Sequence, residues 1–206
     1  MEDVLEVYQR PYDPLHPVIC MDEKPYQLLD DVSPPQPVKE GTPRREDNEY
    51  ERKGTCCLFA FVEPLTGWQY ISASPRRTML DWAREIKHVL TECFQGAEKV
   101  LLIADNLNTH FIKSLYEAFP AAEALSLAKR LEIHYTPKKG SWLNIAEIEL
   151  SILSRQCLDR RIASLERLSA EIYSWQTERN LNPTPVRWQF TTDEARIKLH
   201  SLYPKL

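Results

Sequence analysis

Two short apolar runs in this chain each end in an aspartate. Val18-Ile19-Cys20-Met21 leads into Asp22, and Val100 to Ala104 (VLLIA) leads into Asp105. Apolar runs of this length read as buried strands, and in open α/β sheets chemistry gathers at the carboxyl ends of strands. A strand-end aspartate more often just caps a turn or helix, so neither residue identifies a site alone. A third carboxylate comes from residues 141–158, whose pattern predicts a helix. At about 100° per residue, Trp142, Leu143, Ala146, Leu150, Ile152, Leu153 and Cys157 share one broad face, with Asn144, Ser151 and Arg155 opposite. Glu147 falls at the border, where a side chain reaches a cleft while its helix stays packed. Glu149 projects into the apolar face and needs a partner or solvent there. Three hard carboxylates without paired cysteines or clustered histidines suit Mg²⁺ or Mn²⁺ rather than zinc. Two such ions about 3.5–4 Å apart activate an attacking oxygen and stabilise a leaving one in displacement at phosphorus.

The elements that must position these groups follow from the pattern. Residues 1–10 have helical spacing, and Pro11, Pro14 and Pro17 then force an extended lead-in to the first strand. Residues 25–54, rich in proline and charge, predict a long loop; such a loop is functional or mobile, and we expect mobility in the free protein. Thr55 to Val62, the turn Glu63–Gly67 and Trp68 to Ala73 predict a hairpin. A helix is expected from Thr78 to Phe94, a strand at Val100 to Ala104, a helix at Phe111 to Phe119 and a strand at Leu131 to Tyr135. Further helices follow at Leu165 to Asn180 and Thr192 to Leu202. That order describes an α/β fold, a mixed sheet flanked by helices.

Composition excludes several classes. The 206 residues, 43% hydrophobic and 27% charged, suffice for a packed core. No apolar run approaches the roughly 18–20 residues of a membrane span, and the acidic start Met1-Glu2-Asp3 does not suit a signal peptide. A cytoplasmic protein with no membrane contact is the expectation. Five cysteines, none in a CxxC pair, read as buried thiols rather than disulfides or zinc ligands. The net charge of −4 is unevenly spread: residues 1–50 hold 12 acids and 5 bases, the remainder 18 acids and 21 bases. Basic doublets stand at Arg76-Arg77, Lys129-Arg130, Lys138-Lys139 and Arg160-Arg161, and Arg44, Arg45, Arg52 and Lys53 lie in the expected loop. Solvated surface is the simpler reading of each doublet; contact with a polyanion is the other.

The strings Asp22-Glu23-Lys24, Ala104-Asp105-Asn106-Leu107-Asn108-Thr109-His110, and Pro137 to Asn144 (PKKGSWLN) followed by Glu147 closely resemble the catalytic domain of mariner-superfamily DDE transposases. The bacterial insertion sequence 630 family is the branch most resembled. The likeness extends from Gly54-Thr55-Cys56 and the 63–67 turn to Trp188, Phe190-Thr191-Thr192 and Ala195-Arg196. It implies a ribonuclease-H-like fold and metal-dependent DNA strand cleavage and strand transfer. Asp22, Asp105 and Glu147 would be both the catalytic triad and the ligands of two Mg²⁺ or Mn²⁺ ions. Asn108, Thr109, His110, Trp142 and Asn144 would support them, with Trp142 expected as a core anchor. Arg44, Arg45, Arg76, Arg77, Lys138 and Lys139 would contact DNA, and the partners would be double-stranded transposon ends and target, bound by a homodimer. Residues 1–16 are expected to be a linker remnant and 17–206 the catalytic domain, without the family's N-terminal helix-turn-helix domain. Glu149 stands where the resemblance leads one to expect a large apolar residue. Two other readings compete: a catalytically impaired chain that modulates a full-length transposase by pairing with it, and a host nuclease on the same fold.

Overall fold

The computed structural model describes residues 1–33, 41, 48–138 and 140–202. Its strands are β1 (Val18–Asp31), β2 (Tyr50–Glu63), β3 (Trp68–Ser74), β4 (Val100–Ala104) and β5 (Leu131–Tyr135). They form one mixed sheet in the order β3-β2-β1-β4-β5. β1, β2 and β3 run antiparallel, β4 lies parallel to β1, and β5 lies parallel to β4. Around the sheet lie α1 (Glu2–Tyr8), α2 (Met79–His88), α3 (Ile112–Ala118), α4 (Ala121–Lys129), α5 (Ala146–Gln156), α6 (Leu165–Leu181) and α7 (Thr192–Lys198).

Strand alternation divides the core between two faces. Ile19, Met21, Phe59, Phe61, Leu102 and Ala104 point one way and pack with Trp82 and Ile86 of α2, Leu115 of α3 and Leu127 of α4. On the other face, Cys20, Leu101 and Ile103 meet Val4, Leu5 and Val7 of α1, Ala146 of α5 and Ala195 of α7. Leu58 and Ala60 join that second face, against Leu150 and Leu153 of α5 and Leu168 and Ile172 of α6. The expected α/β architecture is present. None of the described helices is long and apolar enough to cross a membrane, and all five cysteines are free thiols, four of them buried.

Several local expectations need correction. Residues 25–31 and 50–54 are not loop: β1 and β2 are 14 residues each and pair from Cys20/Val62 to Asp31/Tyr50, with a bulge at Leu28/Leu29. Pro25 hid this extension, because a proline demotes a strand by pattern alone. Arg52 and Lys53 are thus strand residues, with Lys53 paired to Glu51 at 2.8 Å. Of the loop expected to be mobile, residues 34–40 and 42–47 lie outside those described. Residues 1–16 are not merely a linker, since Val4, Leu5 and Val7 of α1 are at most 1% exposed. The helix begun at Met79 passes into a π-helical turn at Val89–Cys93, and α4 follows α3 where no helix was expected. α4 buries only Ala124 and Leu127, too sparse a stripe to read by periodicity.

The β2–β3 turn is pinned from outside. Gly67 has φ +75°, and a Cβ there would lie 2.7 Å from the backbone of Thr184, where the chain returns from α6. The neighbouring Val186 amide donates to the Pro64 carbonyl at 2.7 Å. Gly67→Ala is therefore expected to destabilise the fold by about 1–3 kcal/mol, read as a lower denaturant midpoint at unchanged slope.

Candidate active site

The sheet opens where the chemistry was expected. Parallel pairing of β1 with β4 runs from Val18/Leu101 to Cys20/Ile103 and stops there. Beyond that point β1 stays paired with β2 while β4 ends, which leaves a crevice at the topological switch between them. Asp22 lies two residues past Cys20 and Asp105 two past Ile103. Alternation thus assigns Asp22 to the sheet face that carries α5, while Asp105 stands in the loop just past β4.

α5 does not begin where periodicity placed it. Ser141–Leu143 form a 3₁₀ turn, Asn144 is extended, and the α-helix runs from Ala146 to Gln156. Asn144 makes the join, for its buried Nδ2 donates to the Met21 carbonyl at 2.7 Å and its Oδ1 accepts from the Ala146 amide at 3.2 Å. One side chain therefore ties the residue before Asp22 to the first turn of the helix bearing Glu147. Tyr8 of α1 braces the same join, its hydroxyl donating to the Leu143 carbonyl at 2.7 Å and touching Cys20 Sγ at 3.1 Å. Burial drives its phenol well above the ordinary range.

The three carboxylates sense one another. Burial pushes Asp22 up to about 6; the Glu23 amide on its Oδ1 (2.8 Å) opposes this, and the charges of Asp105, Glu147 and Glu23 add to it. Among the described residues, no three His, Cys, Asp or Glu side chains stand close enough to ligate one ion without moving. Asp22 thus lies within electrostatic range of both other acids, and Glu147 is exposed on the first turn of α5. This all-oxygen donor set, under mutual repulsion, fits a hard divalent cation. Glu149 has found its partner: it is buried and meets Arg179 of α6 at 2.8 Å.

Of the expected supporting residues, Asn144 and His110 are buried, Asn144 on the residues before Asp22 and Glu147 and His110 on Asp105. His110 is fully buried, with Nδ1 2.6 Å from Asp105 Oδ1 and Nε2 2.9 Å from Glu23 Oε1. Burial disfavours its charge, yet contact with Asp105 and Glu23 prevails and pushes it up to about 9. Glu23 was missed as a site residue. The available signal was its place on the Met21 face of β1, inside the core, where a carboxylate must have a partner. Asn108 and Thr109 line a cleft of about 240 Å³ with Glu23, Arg77 and Leu107. Trp142 is not a core anchor. It is 43% exposed and packs on Trp188 and Phe190, each with ring centres 6.3 Å away.

The basic candidates divide. Exposed Arg77 and Lys138 border the carboxylates from two sides, Arg77 in the 240 Å³ cleft and Lys138 in one of about 470 Å³ with Asp105, Asn106 and Ser141. Arg76 is exposed beside Arg77. Arg44, Arg45 and Lys139 lie outside the described residues. Two other doublets serve structure: Arg130 donates to the carbonyls of Phe94 and Ala97, and Arg161 pairs with Asp31 at 2.6 Å.

The sequence matches a family model described as DDE superfamily endonuclease over residues 17–169. No curated protein sequence is significantly similar to it. Among solved structures, the Mos1 strand transfer complex superposes with a TM-score of 0.56 at 16% identity, covering 84% of this chain and 51% of that one. The Mos1 mariner paired end complex with Mn gives 0.54 at 15%, covering 85% and 52%. The paired end complex with Mg gives 0.58 at 16%, covering 99% and 62%. The chain spans half to three-fifths of the length of those transposase chains. The shared fold is ribonuclease-H-like, as the motifs implied.

Crowded acids at a site oppose folding. A carboxyl raised in the fold is worth most to stability when protonated, and that contribution is lost as pH rises through about 6. In metal-free buffer, Asp22→Asn should therefore raise stability by about 1–3 kcal/mol at pH 7.5, and the gain should vanish near pH 4. Thermal unfolding at the two pH values checks this.

Proposed function

The chain belongs to the DDE superfamily of endonucleases, and from that premise we infer that it is the catalytic domain of a transposase. Its reaction would be DNA strand cleavage at transposon ends followed by strand transfer. What supports this reading is that Asp22 senses the charges of Asp105 and Glu147 near the point where the β1/β4 pairing stops, inside motif strings that resemble the insertion sequence 630 branch. In cleavage, a water oxygen bonds to phosphorus as the P–O3′ bond breaks, and the proton released goes to solvent. In transfer, the freed 3′-hydroxyl bonds to a target phosphorus as that strand's P–O3′ bond breaks.

The carboxylates of Asp22, Asp105 and Glu147 would hold the divalent ions, Mg²⁺ or Mn²⁺, in a two-ion arrangement. When bound, such ions supply Lewis acidity to the attacking and leaving oxygens. Arg77 and Lys138, one on either side of the carboxylates, would grip phosphates of double-stranded DNA with salt-dependent affinity. Asn144, bonded to the Met21 carbonyl and the Ala146 amide, would keep the residues that precede Asp22 and Glu147 in register. The Glu149–Arg179 pair settles α5 against α6, so Glu149 offers no physical reason to read the chain as an impaired partner of a longer transposase. We place its action on bacterial cytoplasmic DNA, as a homodimer that holds two ends at once.

Two measurements test this reading. Mn²⁺ titration calorimetry should show binding to the wild-type chain and its loss in Asp105→Ala. Mn²⁺-dependent nicking of supercoiled plasmid should fall at least 100-fold in the same variant. Nicking that persists unchanged in Asp105→Ala removes Asp105 from the site.

A further inference from the structure

Glu23 follows Asp22 but points to the opposite face of β1, where its side chain is 3% exposed. Its Oε1 lies 2.9 Å from His110 Nε2, while Oε2 has no hydrogen-bond partner and its closest cation, Arg77, is 4.0 Å away. The other nitrogen of the same ring bonds the Asp105 backbone carbonyl at 3.2 Å and lies 2.6 Å from Asp105 Oδ1, a close charge contact without hydrogen-bond geometry. Trp82 stacks on the ring with centres 5.8 Å apart. The segment that carries the ring is held as well: Tyr135 donates to the His110 carbonyl at 2.7 Å, and Ser114 to that of Thr109 at 2.8 Å.

This is a fixed chain of contacts, Glu23–His110–Asp105, running from one sheet face through a buried ring to the carboxylate at the end of β4. Replacing a buried ion pair by apolar groups is often neutral or favourable for stability, so stability explains this pair poorly. Orientation explains it better. β4 ends at Ala104 and Asp105 begins a loop, so nothing in the sheet sets the Asp105 side-chain torsion. The imidazole is the group in close contact with it, and Glu23 and Trp82 contact the imidazole in turn. Histidines and carboxylates that hold a ligand from behind are known to tune metal affinity in this manner.

We propose that Glu23 is a positioning residue, which acts through His110 to fix the Asp105 carboxylate in the orientation it presents to a divalent cation. The proposal rests on the metal-binding reading above. It predicts that Glu23 and His110 form one unit, so their effects do not add.

The test is a double-variant cycle. Glu23→Gln keeps the side-chain volume and removes the charge, and His110→Asn removes the link. Mn²⁺ affinity by calorimetry should fall about tenfold or more in each single variant, with no further fall in the double variant. Unchanged affinity in Glu23→Gln, or losses that multiply in the double variant, overturn the proposal. A second readout needs no metal and no folded His110→Asn: amide hydrogen exchange of residues 106–110 should quicken at least tenfold in Glu23→Gln, while β2 and β3 keep their protection. Exchange equal to wild type overturns the positioning role. If the wild-type chain binds no Mn²⁺ but this exchange still depends on Glu23, the metal-binding reading fails and the positioning of Asp105 stands.

Discussion

Like charges brought together in a partly desolvated cleft push apart, and in this molecule that repulsion is contained by covalent and hydrogen-bonded backbone. Asp22, Asp105 and Glu147 come from two strands and a helix, so no local interaction could gather them. What gathers them is the geometry of the sheet, in which two parallel strands part at their carboxyl ends beneath the start of α5. Asn144 closes the arrangement by spending both ends of one amide on it, one on the Met21 carbonyl and one on the Ala146 amide. An apolar residue in its place would leave a buried carbonyl and a helix amide without partners, each a cost of about 1–3 kcal/mol.

The N-terminal helix extends the same logic. α1 is too short to be stable alone; its four buried side chains hold it on the sheet, and Tyr8 then reaches the join between β1 and α5. Trp188 stacks on Tyr8 at 5.0 Å, and Trp142 stacks on Trp188. Arg196 of α7 clasps Glu2 with two contacts of 2.8 Å. Chain segments from both ends thus converge behind α5. Pairs such as Lys24 with Ser154 and Glu149 with Arg179 fix its far side. Rigidity of the helix bearing Glu147 is distributed over partners from residue 8 to residue 188.

Charge tells a similar story. The net charge argues weakly against a polyanionic partner, but the four doublets do not share one fate. Arg130 and Arg161 are consumed by carbonyls and by Asp31, while Arg77 and Lys138 stay exposed on the cleft. A doublet in sequence carries no information on which guanidinium faces a carbonyl and which faces solvent, because that depends on what the fold brings opposite.

Much was legible along the chain because it is local. Apolar runs ending in aspartate mark strand ends, the turn ending at Gly67 marks the hairpin, and the strings around Asp105 and Glu147 carry the family and its fold. Border position singled out Glu147, and an acid on an apolar face required a partner for Glu149. Local pattern failed where the deciding contacts come from elsewhere. Pro25 and the charges around it read as loop, yet β2 was there to pair with them. Residues 1–16 read as linker, since nothing in ten residues says that a sheet face awaits them. Trp142 looked like core, but a 3₁₀ turn set it at the surface. Glu23 looked like a companion of Asp22, and the alternation of a strand turned it instead toward a histidine 87 residues away. The chain's own order determines element types and the candidate acids, since these depend on period and residue chemistry. The pairing of Glu23 with His110, and of Asn144 with Met21, was decided only in three dimensions, because a buried polar group is satisfied by whichever partner the packed fold places within reach.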